Sequence, residues 1–229
     1  DADILLLAGD LTDFGLPEEA RVLAGELAGA SIPIVAVLGN HDFESGKQHE
    51  VAGILGRAGV KMLDGDAVEI KGIGFAGTKG FAGGFGAHAL GSWGEPPIKQ
   101  FVQAALDEAL KLETALARVR TDQRVVLMHY SPVPSTVVGE PEEIYPFLGS
   151  SRLEEPIERF GPSVVIHGHA HHGAPEGRTR AGIPVYNVAL PLLRRIGCEQ
   201  PFRILEIPAQ PAADELAQPA ARGERGMER

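Results

Sequence analysis

Residues 164–172 of this chain read VVIHGHAHH, an apolar run that ends in four histidines within six positions. The apolar part predicts a strand buried on both faces, as in a parallel sheet that helices cover. An imidazole with a free ring nitrogen is the commonest protein ligand for a transition metal, and histidines two apart on extended backbone point the same way. His169 and His171 are therefore predicted to serve one metal centre. A solvated polar loop is the alternative, and four histidines in one window make it the weaker one.

Three earlier apolar runs also end in a residue that can bind a metal: DILLLA (3–8) before Asp10, residues 32–38 before Asn40, and RVVLM (124–128) before His129. The first two runs flank a predicted helix that begins at Pro17, and this order predicts a βαβ unit. In a parallel sheet, the loops beyond the carboxyl ends of the strands line one crevice, so we expect these side chains to meet. Carboxylate, amide and imidazole ligands suit Mn, Fe, Zn or Co better than Ca or Mg. Two such cations about 3.5 to 4 Å apart would suit in-line attack on phosphorus.

The remaining patterns predict one α/β domain over residues 1–208 and a disordered tail over residues 209–229, which are rich in Ala, Pro, Glu and Arg. Further helices are expected at 50–58, 98–120 and 151–160, and further strands at 183–188 and 203–207. Short runs joined by Asp64-Gly65 and Lys71-Gly72 predict an antiparallel extension. The glycine-rich segment 74–94 is interpreted as a lid or a surface loop, and the proline-rich segment 131–149 is expected to overhang His129.

The composition, with 44% hydrophobic and 23% charged residues in a chain of 229, is that of a globular protein. The formal net charge of −10 argues against sequence-independent binding to nucleic-acid phosphates, because such binding needs a basic face. The single cysteine, Cys198, cannot form an internal disulfide. No segment is apolar for long enough to span a bilayer, and there is no signal-peptide pattern, so we expect a cytoplasmic protein without a membrane partner. The expected partner is a small substrate. Oligomeric state stays open.

Four motifs occur in order: GDLTD at 9–13, GNHD at 39–42, the lone His129, and GHAH at 168–171. Each is weak alone, but the combination resembles the calcineurin-like metallophosphoesterase superfamily. The resemblance implies an α/β fold, a sandwich of two mixed β-sheets flanked by α-helices. It also implies which residues bind the two metals: Asp10 bridging both, Asn40, His129 and His169 completing one site, and His171 belonging to the other.

Two further residues gain a role from the resemblance. His41 would contact the scissile phosphate or protonate the leaving oxygen, and Asp13 would orient His41. A carboxylate partner would also raise the pKa of the imidazole toward use as an acid near neutral pH. The alternative for Asp13 is a residue that caps its loop. Asp42 is expected to steady the loop after Asn40, and His167 is interpreted either as a hydrogen-bond partner beside the ligands or as a core residue.

Together these residues predict metal-dependent hydrolysis of phosphate mono- or diesters, with a metal-bound hydroxide as nucleophile and His41 assisting the leaving group. The cofactors expected are two divalent cations, Mn, Fe, Zn or Co. A metal-binding module without catalysis is the alternative from a different class. A nuclease is a weaker alternative, because it would need a groove for the strand and the chain is acidic.

The chain departs from the family pattern at two places. The family begins with a strand that ends in Asp-x-His and supplies ligands to the metal site of His171, and no such motif precedes Asp10. Our interpretation is that the chain begins downstream of the natural start, which would leave the second metal site incomplete. Phe14 follows Asp13 where the protein serine/threonine phosphatases carry an arginine for the phosphate, and this argues against a protein phosphatase.

Overall fold

The first part of the chain forms a small parallel sheet in the computed structural model, which describes residues 2–208. Its elements are β1 (Leu5–Ala8), α1 (Pro17–Leu27), β2 (Ile34–Val37), α2 (Gln48–Arg57) and β3 (Lys61–Met62). β2 lies in the middle, and both of its neighbours run parallel to it. The predicted βαβ unit is confirmed.

The second sheet is larger and mixed. Its strands are β4 (Asp66–Ile70), β5 (Ile73–Thr78), β6 (Gln123–Met128), β7 (Val164–His167), β8 (Glu176–Arg178) and β9 (Pro184–Asn187), in the spatial order β4-β5-β6-β7-β9-β8. The four inner strands are parallel to one another, and β4 and β8 are antiparallel to their neighbours. The remaining helices are α3 (Pro96–Arg118), α4 (Tyr145–Leu148), α5 (Ser151–Phe160) and α6 (Leu190–Arg195).

The two sheets pack face to face. The core between them contains Val35 and Val37 from β2 together with Phe75, Leu127 and Ile166 from the second sheet. Alternate side chains of the same strands face outward. There α1 and α2 cover the first sheet, and α3 and α5 cover the second. Burial on both faces explains why these strands are continuously apolar. The predicted fold class is confirmed.

Parts of the predicted secondary structure are wrong. β3 joins β2 in parallel, and β5 is antiparallel to β4 but parallel to β6, so the antiparallel extension is limited to one hairpin. Strand β5 forms despite its glycines, and the close packing around it requires glycine at two positions. A Cβ on Gly74 would overlap Val119, and one on Gly77 would overlap the Leu127 carbonyl. Residues 203–207 are not a strand, and β8 and α6 were not predicted.

Other expectations agree with the structure or lie beyond it. The long helix α3 and the helix α5 form where the apolar spacing placed them, with α5 spanning the predicted residues. Among residues 2–208, no helix has the length and apolar character needed to cross a bilayer. The predicted tail, residues 209–229, lies outside the described residues.

Candidate metal centre

Two of the predicted ligands lie on unusual backbone. Asp10 and His169 follow β1 and β7, and both have positive φ, 51° and 65°. Residues other than glycine rarely adopt this backbone conformation, and the surrounding structure must offset its free-energy cost. The turns are tightly packed, since a Cβ on Gly39 would overlap the Asp10 carboxylate and one on Gly9 would overlap the His129 ring. The glycines therefore allow the loops after β1, β2 and β6 to come together.

His129 is the most deeply buried of the predicted ligands, with 1% of its surface exposed. Its Nδ1 lies 2.8 Å from the carbonyl oxygen of Ala8, which can only accept, so Nδ1 carries the proton. Nε2 lies 2.9 Å from Oδ1 of Asn40 and 3.3 Å from Oδ2 of Asp10. In the neutral ring Nε2 carries the lone pair, and in the protonated ring it donates to Asp10. A cation among the three atoms would satisfy all of them.

Asp10, His129 and His169 form a group that could hold a metal ion. One ligand atom from each lies within 4.8 Å of the others, and it is the one such group of His, Cys, Asp or Glu among residues 2–208. Burial raises the pKa of Asp10, but the contacts with His129 and the His41 backbone amide outweigh it, and the pKa lies below its ordinary value. Burial lowers the pKa of His169 to about 3. An anionic oxygen and neutral imidazole nitrogen are the forms that bind divalent transition metals.

The tautomer of His169 also suits a ligand. Its Nε2 donates to the carbonyl oxygen of Phe147 at 3.2 Å, which leaves Nδ1 as the lone pair. Phe147 belongs to α4, so the proline-rich segment does reach over the crevice. The ring of Tyr130 packs against His169 with centroids 4.3 Å apart. The prediction that extended backbone aligns His169 with His171 is wrong, because β7 ends at His167 and His169 has positive φ.

His171 is exposed and is not part of the group of three. Partial burial of its ring lowers its pKa, while the charges on Asp10 and Glu140 oppose the change. Because only one residue separates it from His169, His171 lies near the group. His167 is fully buried, and its Nε2 lies 2.8 Å from Oγ1 of Thr136. Burial lowers the pKa of His167 to about 4, so of its two interpretations the structure favours the core residue.

His41 and Asp13 meet, although not through the carboxylate. Nδ1 of His41 donates to the backbone carbonyl of Asp13 at 2.8 Å, and this hydrogen bond is the main reason why the pKa of His41 is raised. The expectation that the Asp13 carboxylate orients the ring is replaced by a main-chain contact. His41 also donates its backbone N–H to Oδ1 of Asp10, which ties it to the metal-binding group.

Asp42 fixes the two loops that carry Asp10 and Asn40. It is fully buried and accepts hydrogen bonds from the backbone N–H groups of Leu11, Thr12 and Gly39 and from the Thr12 hydroxyl, at 2.6 to 3.2 Å. The expected role in steadying the loop is confirmed. One carboxylate thereby joins the turn after β1 to the turn after β2.

The sequence interpretation missed a cleft beside the group. Asn40, Phe43, Lys79, Phe81 and Tyr130 line it together with α3, and its volume is about 420 Å³. Lys79 directly follows β5. The sequence pattern places β5 in an antiparallel extension and therefore does not predict that its carboxyl end lines the same crevice. The signal that could have revealed Lys79 is a charged residue after a buried strand, as at Asp10.

A second cavity, of about 200 Å³, lies at the opposite end of the strands. Gln123, Val164 and Pro184, which line it, stand at or near the amino ends of β6, β7 and β9. Ligands of parallel sheets bind at the carboxyl ends. The cleft beside Asn40 is therefore the cavity that lies at the end of the sheet where ligands bind.

Comparisons with known proteins agree with this geometry. The family model described as calcineurin-like phosphoesterase matches residues 1–173. A phosphopantetheinyl hydrolase from Mycobacterium tuberculosis has a similar structure, with a TM-score of 0.67 and 14% identity over 91% of this chain and 87% of that one. The protein TT1561 of Thermus thermophilus is similar with a TM-score of 0.50 and 18% identity, over 82% of this chain and 77% of that one. At such low sequence identities, the structural similarity shows a shared fold alone. A search of curated proteins found no match.

Proposed function

The chain belongs to the calcineurin-like phosphoesterase family, and we propose that it is a metal-dependent hydrolase of phosphate mono- or diesters. The observation that carries the proposal is the convergence of Asp10, His129 and His169, whose ligand atoms lie within 4.8 Å of one another, with Oδ1 of Asn40 2.9 Å from Nε2 of His129. The proposed ligands of the first cation are Asp10, Asn40, His129 and His169.

A bound divalent cation would supply a Lewis acid that lowers the pKa of a water molecule and neutralises charge on the phosphoryl oxygens. We place a second cation beside Asp10 on the side of His171. The support for this site is the position of His171 two residues after His169 and the ability of a carboxylate to bridge. Its native metal belongs to the set Mn, Fe, Zn or Co.

His41 would protonate the leaving oxygen. Its Nδ1 is held by the Asp13 carbonyl, so Nε2 is the atom that can carry a transferable proton. The ring is exposed beside Asp10, where a substrate could reach it. Asp13 would act through its backbone, as a positioning residue. A substitution of the Asp13 side chain should therefore matter less than one of His41.

The test is hydrolysis of p-nitrophenyl phosphate and bis(p-nitrophenyl) phosphate by the full chain with Mn²⁺. Asp10→Asn keeps the shape of the side chain but removes its charge, and we expect turnover to fall by at least about a hundredfold. Asp122→Asn, at an exposed acid before β6, is the matched control and should leave turnover unchanged. Full activity in Asp10→Asn would overturn the proposal. Metal binding that Asp10→Asn abolishes, with no turnover of either ester in the wild type, would favour the non-catalytic module.

A further inference from the structure

We infer that the cleft beside Asn40 binds the organic part of the substrate, and that Lys79 contacts a second anionic group on it. This inference rests on the proposed function, since it takes the scissile phosphate to lie at the metal-binding group. It specifies the substrate class as phosphate esters whose leaving group contains a planar ring and a further phosphate or carboxylate. Three observations support it: the surroundings of Lys79, the walls of the cleft, and its position.

Lys79 is a partly buried ammonium with spare hydrogen-bonding capacity. Nζ has three N–H donors, and its one hydrogen bond to the described residues goes to the carbonyl of Gly80 at 2.8 Å. No carboxylate among residues 2–208 forms an ion pair with it within 4.0 Å. A buried charge without a partner is costly. An anionic ligand would supply the partner.

Nearby carboxylates are already engaged. Glu108, also on the cleft wall, accepts from the Thr78 hydroxyl and the Gly80 N–H through Oε2 and pairs with Lys111 through Oε1. Lys111 in turn also pairs with Asp64 at 2.8 Å. The two lysines of the cleft thus differ, because Lys111 forms close ion pairs with Asp64 and Glu108, whereas these carboxylates act on Lys79 only from beyond 4.0 Å.

The walls around Lys79 are aromatic. Its Nζ lies 5.2 Å from the ring centroid of Phe43, 4.8 Å from that of Phe81 and 5.1 Å from that of Tyr130. Cation–π contacts of this length hold the ammonium in place, and ring surfaces also stack on planar ligands. A mainly apolar cleft with a few placed polar groups is typical of small-molecule sites.

The cleft borders the metal-binding group through Asn40. Asn40 lines the cleft, and its Oδ1 lies 2.9 Å from Nε2 of His129. The ring of Tyr130 contacts both Lys79 and His169, with its centroid 5.1 Å from Nζ of the lysine and 4.3 Å from the centroid of the imidazole. A phosphoryl group among the ligands would therefore have its leaving group directed toward Phe43, Phe81 and Lys79.

The test uses two ligands that cannot be hydrolysed, phenylphosphonate and 4-carboxyphenylphosphonate, which differ by one anionic group. Their dissociation constants are measured by calorimetry with the full chain and Mn²⁺. The wild type should bind the carboxylated ligand more tightly, by about tenfold, because a charge-assisted hydrogen bond has that effect. Lys79→Met should reduce this ratio to about one, and Lys79→Arg should restore most of it. Lys99→Met, which removes an exposed lysine of α3, is the matched control and should keep the ratio.

The outcomes separate this inference from the proposed function. A ratio near one in the wild type, or a ratio that Lys79→Met leaves intact, overturns the inference even if ester hydrolysis depends on Asp10. A Lys79-dependent ratio supports the inference even if no ester is turned over. Circular dichroism melting of each variant shows that loss of the ratio is not loss of the fold.

Discussion

Nε2 of His129 lies 2.9 Å from Oδ1 of Asn40, although Nδ1 of the same ring already donates to Ala8. Nε2 is therefore the ring nitrogen that faces the Asn40 side chain. The sandwich imposes this contact, since His129 follows β6 in one sheet and Asn40 follows β2 in the other. Ligands from the two sheets therefore face each other beyond the carboxyl ends of β2 and β6, and a cation there would bridge them.

The first prediction concerns Asn40. Asn40→Leu keeps the approximate volume but removes the carbonyl, so Mn²⁺ affinity should fall by at least about tenfold. The measurement is calorimetric titration of the metal-stripped full chain. Gln103→Ala removes an exposed amide on α3 and serves as control. Equal affinity in Asn40→Leu and wild type would exclude Asn40 as a ligand.

The second prediction concerns Gly39. A Cβ at this position would overlap both the carboxylate and the backbone nitrogen of Asp10. Gly39→Ala should therefore displace Asp10 and lower Mn²⁺ affinity and ester turnover together, each by at least about tenfold. Gly25→Ala in α1 has open space around the new methyl group and should stabilise the chain by about 0.5 to 1 kcal/mol. Unchanged metal affinity in Gly39→Ala would show that Asp10 tolerates the shift.

Much of the fold and of the candidate site was predictable, because the signals were of the strongest kind. Continuous apolar runs that end in Asp10, Asn40 or His129 indicate parallel strands, and the carboxyl ends of parallel strands lie on the same side of a sheet. The apolar pattern of α3 extends over enough residues to identify a helix unambiguously. The sequence therefore predicted which loops would meet.

The rest depended on contacts that no local pattern encodes. β5 runs antiparallel to one neighbour and parallel to the other, and its hairpin signal revealed only the first, so Lys79 was overlooked. His169 sits in a turn with positive φ, where strand alternation no longer applies. Asp13 contributes its carbonyl oxygen, a group that every residue carries. The sequence therefore predicted which side chains could bind a metal, but it did not predict the contacts and conformations of the backbone.

The third prediction concerns Asp42. Asp42→Ala would leave the buried N–H groups of Thr12 and Gly39 without an acceptor, and we expect a loss of about 3 kcal/mol of unfolding free energy. Asp42→Asn retains one acceptor oxygen and should lose less. Urea unfolding of the metal-free chain measures both. A loss below about 0.5 kcal/mol in Asp42→Ala, the range of ordinary surface substitutions, would contradict the role assigned to the carboxylate.

The fourth prediction is a pH dependence at Lys111. Burial lowers the pKa of Lys111, but the hydrogen bonds and charges of Asp64 and Glu108 outweigh it and raise the pKa above 10.5. Because the folded pKa is the higher one, the stabilisation is present below pH 10.5 and is lost as pH rises through the folded pKa. The site is partly exposed, so we expect a small effect of about 0.5 kcal/mol. The difference in unfolding free energy between wild type and Lys111→Met should shrink between about pH 8 and about pH 11.5, and growth over that range would contradict it.

The fifth prediction concerns Glu108, which holds both neighbours of Lys79. It is 7% exposed and accepts from the Thr78 hydroxyl at 2.5 Å and the Gly80 N–H at 2.8 Å. Glu108→Ala should cost about 2 to 3 kcal/mol of unfolding free energy, because these donors are left unpaired.

The control is Glu113→Ala on the same helix, which removes an exposed ion pair with Arg159 and should cost about 0 to 1 kcal/mol. Since Thr78 and Gly80 flank Lys79, Glu108→Ala should also weaken binding of 4-carboxyphenylphosphonate more than that of phenylphosphonate. Glu108→Gln keeps an acceptor oxygen and should recover part of both effects. A destabilised Glu108→Ala chain that still distinguishes the two phosphonates as well as wild type would show that Lys79 is positioned by its aromatic neighbours alone.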